Sequence, residues 1–496
     1  MNYEFILRDL KPSEEETIAV NETTEKIIDC INGLCAEESI EAEARAVGSV
    51  AKNTWLKGNS DIDIFIRFPL EVEMDELKEK GLYLAYKTND ALNGTASEHY
   101  ASHPYLTCDI DGFEVDMVPC YAIEEGQQII SAVDRTILHT NYINKNLKVS
   151  QQEEVLLLKK FMDCVGTYGS EFKTGGFAGY LCELLILKYG SFENTLKKAQ
   201  NWHFNTKIDL MNFGTKDNKI FKKDPLVFID PTDENRNVAA ALRLERMVDF
   251  VIASRNLMEI IENNDLSEDE KENKVREFFS PVQKKHFSNK TNEEIANQII
   301  DDFKDRETQT LVIRFPIPED IVADALHPQL LKTIESICEK LDAEEFSVFE
   351  YDYWTDEERY VIFTIELNVF KQGKYYIHKG PKVWVKKACD NFKGKWADQI
   401  YAENDFLSLT RERQFKTAKD FIIHVLNEEN IHIIKVGKNI KESICNGYIL
   451  LEIDEFLSDL NSYFNYDIST MGRDEIQFDY LNSLDDLLNP GQYVKR

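Results

Sequence analysis

The chain has 496 residues, 43% of them apolar, and a formal net charge of −31. That length exceeds what one core supports and predicts about three domains. No apolar run approaches the ~20 residues that span a bilayer, and the acidic opening MNYEFILRDLKPSEEET has no basic-then-apolar order of a signal peptide, so a soluble cytoplasmic protein with no membrane partner is expected.

Residues 1–40 read as an amphipathic helical lead-in, with Ile27, Ile28, Ile31 and Leu34 at helical spacing. AEARAVGSVAKNTWLKGNSDIDIFIRFP (42–69) reads as strand, glycine turn, short helix, loop and strand. YLTCDIDGFEVDMVPCY (105–121) has an Asp-Gly turn signal between two strand-like runs and predicts a hairpin. From about 150 to 262 the pattern is mostly helical: QQEEVLLLKKFMDCVGTYG ends at glycines, GYLCELLILKYG reads as a buried helix, and DPTDENRNVAAALRLERMVDFVIASRNL begins with Asp-Pro and runs on helically. NNDLSEDEKENK is a charge run, read as a solvated helix start or linker.

From about 308 the period changes. TQTLVIRFPIP is a strand, HPQLLKTIESICEKLDA a helix, and EEFSVFEYDYW and ERYVIFTIELNVF are strands. This β-α-β-β order predicts an α+β sandwich with helices on one sheet face. Residues 371–396 then hold eight lysines and one acid, interleaved with Tyr375, Tyr376, Trp384, Phe392 and Trp396. The stretch fits either a solvated lysine surface or an RNA contact. TAKDFIIHVLNEEN follows as a helix, and residues 452–486 carry ten acids and one arginine. Charge is therefore segregated, and the net value alone does not exclude nucleic acid. The nine cysteines, an odd number without CxxC, predict reduced thiols rather than disulfides or a zinc site.

The chemistry concentrates in GNSDIDIFIRFP, residues 58–69. Strand alternation puts Ile62, Ile64 and Ile66 on one face and Asp61 and Asp63 on the other, about 7 Å apart along the chain. A bare Asp-x-Asp is commonly a pair of exposed acids on an edge strand. Here Gly48-Ser49 precedes it by twelve residues, Gly58 and Ser60 lead into it, and a further acid is available on the following hairpin. Phosphoryl transfer with two divalent metals, Mg²⁺, calls for this set. A Gly-Ser turn entering a helix offers N–H groups and a hydroxyl to a polyphosphate, and same-face carboxylates hold the ions. For the third acid, Asp109, Asp111 and Asp116 compete. Asp111 is accounted for by turn chemistry. Asp116 sits among apolar residues on a central strand, where a charge is costly without a metal or partner. Asp116 is the choice, with Glu114 on the same face as a weaker candidate. Arg236, near the start of the helix read at 230–257, opposes the helix dipole, which makes it either a surface residue or one with an anionic or acceptor-rich partner.

GSVAKNTWLKGNSDIDIFIRF resembles the GS-x(10–13)-[DE]-x-[DE] signature of the nucleotidyltransferases. With YGSEFKTGGFAGYLCELLILKYGSF, DPTDENRNVAAAL, LHPQL and the GPKV region, most of the chain is similar to the archaeal (class I) CCA-adding enzymes, the tRNA nucleotidyltransferases. The superfamily signature by itself also fits poly(A) polymerases, oligoadenylate synthetases or a catalytically decayed RNA-binding scaffold. The resemblance implies an α+β multidomain fold: a nucleotidyltransferase (polymerase-beta-like) head with an antiparallel or mixed sheet at 1–150, a helical neck at 151–262, an α+β body at 263–375, a tail at 376–440, and a C-terminal return to the body at 441–496. It implies Asp61, Asp63 and Asp116 as metal-binding acids and Ser49 and Lys52 as triphosphate contacts. The family often has arginine at the Lys52 position, and lysine keeps the charge without the bidentate fork. It further implies Thr136 and His139 against triphosphate and sugar, Lys159 and Tyr168 against phosphate, and Arg236 as the reader of the base. The implied substrates are CTP, ATP and tRNA, held by its acceptor stem and T arm, and members of that family are often homodimers.

Overall fold

The computed structural model describes residues 1–100, 104–124, 126–127, 129–131, 133–214, 219–282, 284–318, 321–396, 399–464 and 472–491. One compact unit holds Met1–Gln283 and another Lys284–Pro490.

In the first unit, β1 (Glu43–Val47), β2 (Ile62–Phe68), β3 (Thr95–Tyr100), β4 (Pro104–Ile110) and β5 (Phe113–Tyr121) form one sheet in the order β1-β2-β5-β4-β3. β2 and β5 are parallel and all other neighbours antiparallel. The parallel pair needs a crossover. The helix Met74–Ala91 and the β3–β4 hairpin supply it. Ile62, Ile64 and Ile66 are buried with Ile27 and Ile31 of the helix Glu14–Glu37 and Leu77 and Leu84 of the crossover helix. The opposite face is not bare either. Phe65 packs there with Val47, Cys120 and Ile137, the last from the helix Arg135–Asn146.

The helices Val149–Cys164, Gly179–Tyr189, Phe192–Ala199 and Leu244–Glu262 share a core built around Phe161, Phe177, Phe192, Leu184 and Phe250. A small sheet interrupts them: β6 (Thr206–Asp209), β7 (Leu226–Asp230) and β8 (Asp233–Asn237), in that order. This corrects the helical run expected over 230–257. Residues 233–237 are extended, and the helix begins only at Leu244. The cause is local. Asn237 Oδ1 accepts from Phe228 N at 2.8 Å, and its Nδ2 donates to Leu226 O at 2.9 Å and Asp224 Oδ2 at 2.8 Å. One side chain thus fastens β8 to β7 and competes with helix formation. Arg236 lies on a strand, so the helix-dipole argument does not apply to it.

The second unit contains β9 (Gln309–Pro316), β10 (Val348–Thr355), β11 (Tyr360–Leu367), β12 (Tyr375–Lys382), β13 (Ile400–Glu403), β14 (Phe406–Glu412) and β15 (Ile449–Glu452). They make two sheets, β10-β11-β9-β15 and β12-β14-β13, antiparallel throughout. The larger sheet is covered on both faces, not one as expected. Val361, Phe363 and Ile365 face the helix Ala323–Ala343. Ile362 and Val312 face the helices Asn292–Asp305 and Arg473–Leu488. The unbroken apolar run VIFTIEL follows from that double burial. Ala418, Phe421, Ile422 and Val425 share the core with Phe363. Within the stretch expected as a tail, 376–440, the lysine-rich part supplies β12 and the helix Lys386–Trp396, β13 and β14 complete the small sheet, and the later helix packs on the larger sheet.

Candidate active site

The loop geometry that admits the acids starts at Gly48. It ends β1 and opens the short helix Gly48–Ala51 at φ +71°. A Cβ added there would meet Asp63 Oδ2 at 1.8 Å. Only glycine both adopts the left-handed backbone freely and leaves room for that carboxylate. Asp63 itself is in register with Val47 on β1 and with Asp116 on β5. The two acids thus stand side by side on adjacent parallel strands, which lie about 4.8 Å apart. Asp61 is exposed, immediately before β2.

The electrostatics follow from this crowding. Burial and then the Asp116 charge push the Asp63 carboxyl up to about 6, with Lys52 pulling the other way and Asp61 adding to the rise. Asp116 is also raised, by burial first. The hydrogen bond from Thr107 Oγ1 to its Oδ1, at 2.6 Å, works against that rise, as does His99. Asp111 takes φ +55° at the hairpin turn and pairs with Lys26 at 2.7 Å; Asp109 Oδ1 accepts from Gly112 N at 3.2 Å. Both are occupied at the turn, and Glu114 is exposed. Among the described residues, no three His, Cys, Asp or Glu side chains converge as a closed ligand set. Two half-buried carboxylates that repel each other, with Asp61 beside them, are nonetheless a hard-oxygen donor set that a divalent cation would relieve.

Next to the acids lies a buried cationic cluster. Lys52 Nζ donates to Glu183 Oε2 at 2.7 Å, and Thr54 Oγ1 donates to Glu183 Oε1 at 2.6 Å. Lys159 Nζ donates to the Thr54 carbonyl at 2.7 Å and lies 4.0 Å from Glu183. Glu183 is fully buried, so two ammonium groups share one carboxylate. Burial first, and Lys52 after it, depress the Lys159 ammonium against the Glu183 attraction. Tyr168 completes this wall. A Cβ at Gly179, the first residue of its helix, would lie 3.1 Å from Tyr168 Oη and 3.5 Å from Lys159 Nζ. Ser49 is half-buried within Gly48–Ala51.

A third group gathers around Asp230 at the end of β7. Its Oδ2 accepts from Arg236 Nη1 at 2.8 Å and His139 Nε2 at 2.9 Å. Its Oδ1 accepts from Thr232 N at 2.9 Å, Thr232 Oγ1 at 2.8 Å and Tyr180 Oη at 3.4 Å. The His139 ring stacks on Tyr180 with centroids 3.9 Å apart. Burial acts to raise the Asp230 carboxyl, but the bonds from His139 and Thr232 outweigh it and hold it well below the ordinary range. His139 is lowered, by burial first, with Arg236 and Lys52 adding to the effect. Thr136 is half-buried one turn before His139 on the helix Arg135–Asn146. Asn144 Nδ2, on the same helix as His139, donates to the Ala51 carbonyl at 3.2 Å, which ties this third group to the helix Gly48–Ala51 beside the acids.

Sequence reasoning missed Glu183, Asp230 and Tyr180. The first two had a signal: each is a lone acid adjoining an apolar run, in CELLIL and LVFID, where an unpartnered charge is costly.

Three family models match the chain: the nucleotidyltransferase domain over residues 27–139, the second domain of tRNA nucleotidyltransferase over 153–265, and the CCA-adding enzyme C-terminal domain over 306–452. A CCA-adding enzyme of Methanothermobacter thermautotrophicus is 41% identical, covering 100% of this chain and 99% of its own. One of Methanocaldococcus jannaschii is 36% identical over 90% of this chain and 94% of its own. One of Methanosarcina barkeri is 34% identical over 90% and 92%. A solved cytoplasmic RNA terminal U-transferase is similar over 56% of this chain and 97% of its own, at 14% identity and a TM-score of 0.44, and nothing further rests on it. No helix among the described residues is long and apolar enough to cross a membrane. With identity of this extent, and with acids, glycine turn and cationic wall in one unit, the chain belongs to the CCA-adding enzymes, nucleotidyltransferases of the archaeal type.

Proposed function

We propose that this chain adds C, C and A in turn to the 3′ end of tRNA, taking CTP and ATP and releasing pyrophosphate, without a nucleic-acid template. The observation that carries the reading is the in-register pair Asp63 and Asp116 beside Gly48, in a chain of this family. Asp61, Asp63 and Asp116 hold Mg²⁺. When bound, the ions acidify the attacking 3′-hydroxyl and offset charge on the leaving pyrophosphate.

The chain's own groups bind and orient. Ser49, Lys52, Lys159, Tyr168 and Thr136 face the triphosphate, and His139 the sugar. Lys52 and Lys159 exchange part of their contact with Glu183 and Thr54 for phosphate oxygens. Two ammoniums on one carboxylate leave the positive excess that a triphosphate attracts. Arg236, together with an RNA phosphate, reads the Watson–Crick edges of C and A, whose acceptors suit guanidinium donors. Other bases leave buried groups unpaired.

The head at 1–150 and neck at 151–262 supply this nucleotide site, and the body and the lysine-aromatic sheet hold the acceptor stem and T arm. Trp384 is 77% exposed and Tyr375 57%, and both stand among the lysines of 371–396. Stacking and phosphate contact there offset the overall acidity. The enzyme is cytoplasmic, and the homodimer common in its family is the assembly proposed for it.

The test is incubation with tRNA lacking CCA, each nucleoside triphosphate and Mg²⁺, followed by product sequencing. Extension by CCA that then stops supports the proposal. A long A tail makes the chain a poly(A) polymerase, and no extension makes it a scaffold.

A further inference from the structure

Arg236 would be a poor reader of neutral bases if left to itself. A guanidinium beside a triphosphate site pairs with phosphate oxygens by preference, since that bond is charge-assisted and bidentate. Something must restrain it. We propose that Asp230 is the positioning residue for nucleotide selection: its one buried carboxylate fixes Arg236 and His139 at a set separation, so that the guanidinium meets the base edge while the imidazole meets the sugar. The inference rests on the reading of Arg236 as the base-selecting residue.

The geometry supports it in three ways. Asp230 is fully buried and bound on both oxygens. Its Oδ1 is pinned to its own turn by Thr232, through both the amide and the hydroxyl, so the carboxylate cannot swing with the ligand. Its Oδ2 carries both His139 and Arg236, so neither can move without the other. The bond to Arg236 uses Nη1 of a fork that has five N–H donors, and the side chain is 33% exposed. The tethered guanidinium still reaches solvent, where a base would lie. His139 is held from the other side by its stack on Tyr180. The hairpin that the sequence disguises as a helix has a use in this scheme. β7 brings the carboxylate and β8 returns Arg236 to it six residues later.

The experiment measures single-turnover kcat/KM on transcribed tRNA ending in CC, with ATP, CTP, UTP and GTP separately. The proteins are wild type, Asp230→Asn, Thr232→Val, Arg236→Ala and the double variant Asp230→Asn/Arg236→Ala. Asp230→Asn is expected to reduce discrimination between ATP and the wrong nucleotides by about tenfold to a hundredfold, the worth of one hydrogen bond to a charged group. Thr232→Val, which loosens the carboxylate but spares it, is expected to act in the same direction and less; it carries the test if Asp230→Asn does not fold. The double variant should discriminate no worse than Arg236→Ala. Equal loss for all four nucleotides in Asp230→Asn or Thr232→Val would overturn the inference, since a merely structural role predicts that. Wild-type discrimination in Arg236→Ala would instead overturn the reading of Arg236 beneath it. Loss in Arg236→Ala with none in the Asp230 and Thr232 variants overturns the inference alone.

Discussion

Replacing Gly48 by alanine should abolish catalysis with the fold kept, and Gly58 provides the control. Both glycines have left-handed φ, +71° and +77°. An alanine at either pays a backbone cost of about 1–2 kcal/mol for the left-handed conformation. They differ in what a Cβ meets. At Gly58 nothing lies within 4 Å, whereas at Gly48 Asp63 Oδ2 lies at 1.8 Å and Cγ at 2.8 Å. Carbon and oxygen cannot approach that closely, so the Asp63 carboxylate must turn away. Asp63 is braced between β1 and β5, and turning it removes it from Asp116. Loss of a metal-holding carboxylate should cost at least ~100-fold in rate, about 2.7 kcal/mol of barrier. The assay is single-turnover CCA addition by Gly48→Ala and Gly58→Ala, with urea denaturation of each to subtract the shared strain. Gly58→Ala should keep activity within a few-fold. Near-wild-type addition by Gly48→Ala, or equal losses in both, would refute the steric argument.

Glu183→Ala should destabilise by about 3–5 kcal/mol in urea unfolding, because it leaves Lys52 and Lys159 buried without their carboxylate. Mg²⁺ at ten times its Kd should stabilise wild type by about 1.4 kcal/mol and raise its Tm. Asp63→Asn and Asp116→Asn should show little of that gain; an equal rise in all three would argue against binding at these acids. Asp230 titrates well below the ordinary carboxylate range in the folded chain. Its contribution is therefore complete above about pH 4 and lost as the pH falls further. With His139→Gln in both proteins, so that the imidazole bonded to Asp230 does not titrate alongside it, the Tm gap made by Asp230→Asn should be constant from pH 5 to 7 and narrow below that. A gap that widened in acid would reverse the assigned sign.

Much of the site was readable because its costs are visible in one dimension. Asp63 alternates with buried isoleucines, and Asp116 sits between Val115 and Met117, both fully buried. An acid in such a place needs a reason, whereas Asp111 had one in its turn. The glycine before Ser49 was readable as a turn, though not as the hollow that admits Asp63, since that contact crosses strands. What escaped was set by tertiary partners. DENRN has no apolar alternation and an Asp-Pro start before it, so it imitates a helix entry. Its pairing with β7, reinforced by the Asn237 side chain, makes it a strand. Glu183 and Asp230 were seen as parts of apolar runs, while their partners Lys52, Thr54 and His139 come from residues 91 or more positions away. In the second unit the helix of TAKDFIIHVLNEEN was legible, but which sheet it packs on was not. Ala418, Phe421, Ile422 and Val425 have the spacing of a buried face, and that face joins the larger sheet.

The most direct measurement compares wild type with Asp63→Ala and Asp116→Ala in Mg²⁺-dependent extension of tRNA lacking CCA, alongside tRNA binding by each protein. Extension lost in both variants, with tRNA Kd nearly unchanged, is the predicted result. Extension at the wild-type rate in either one would contradict the account.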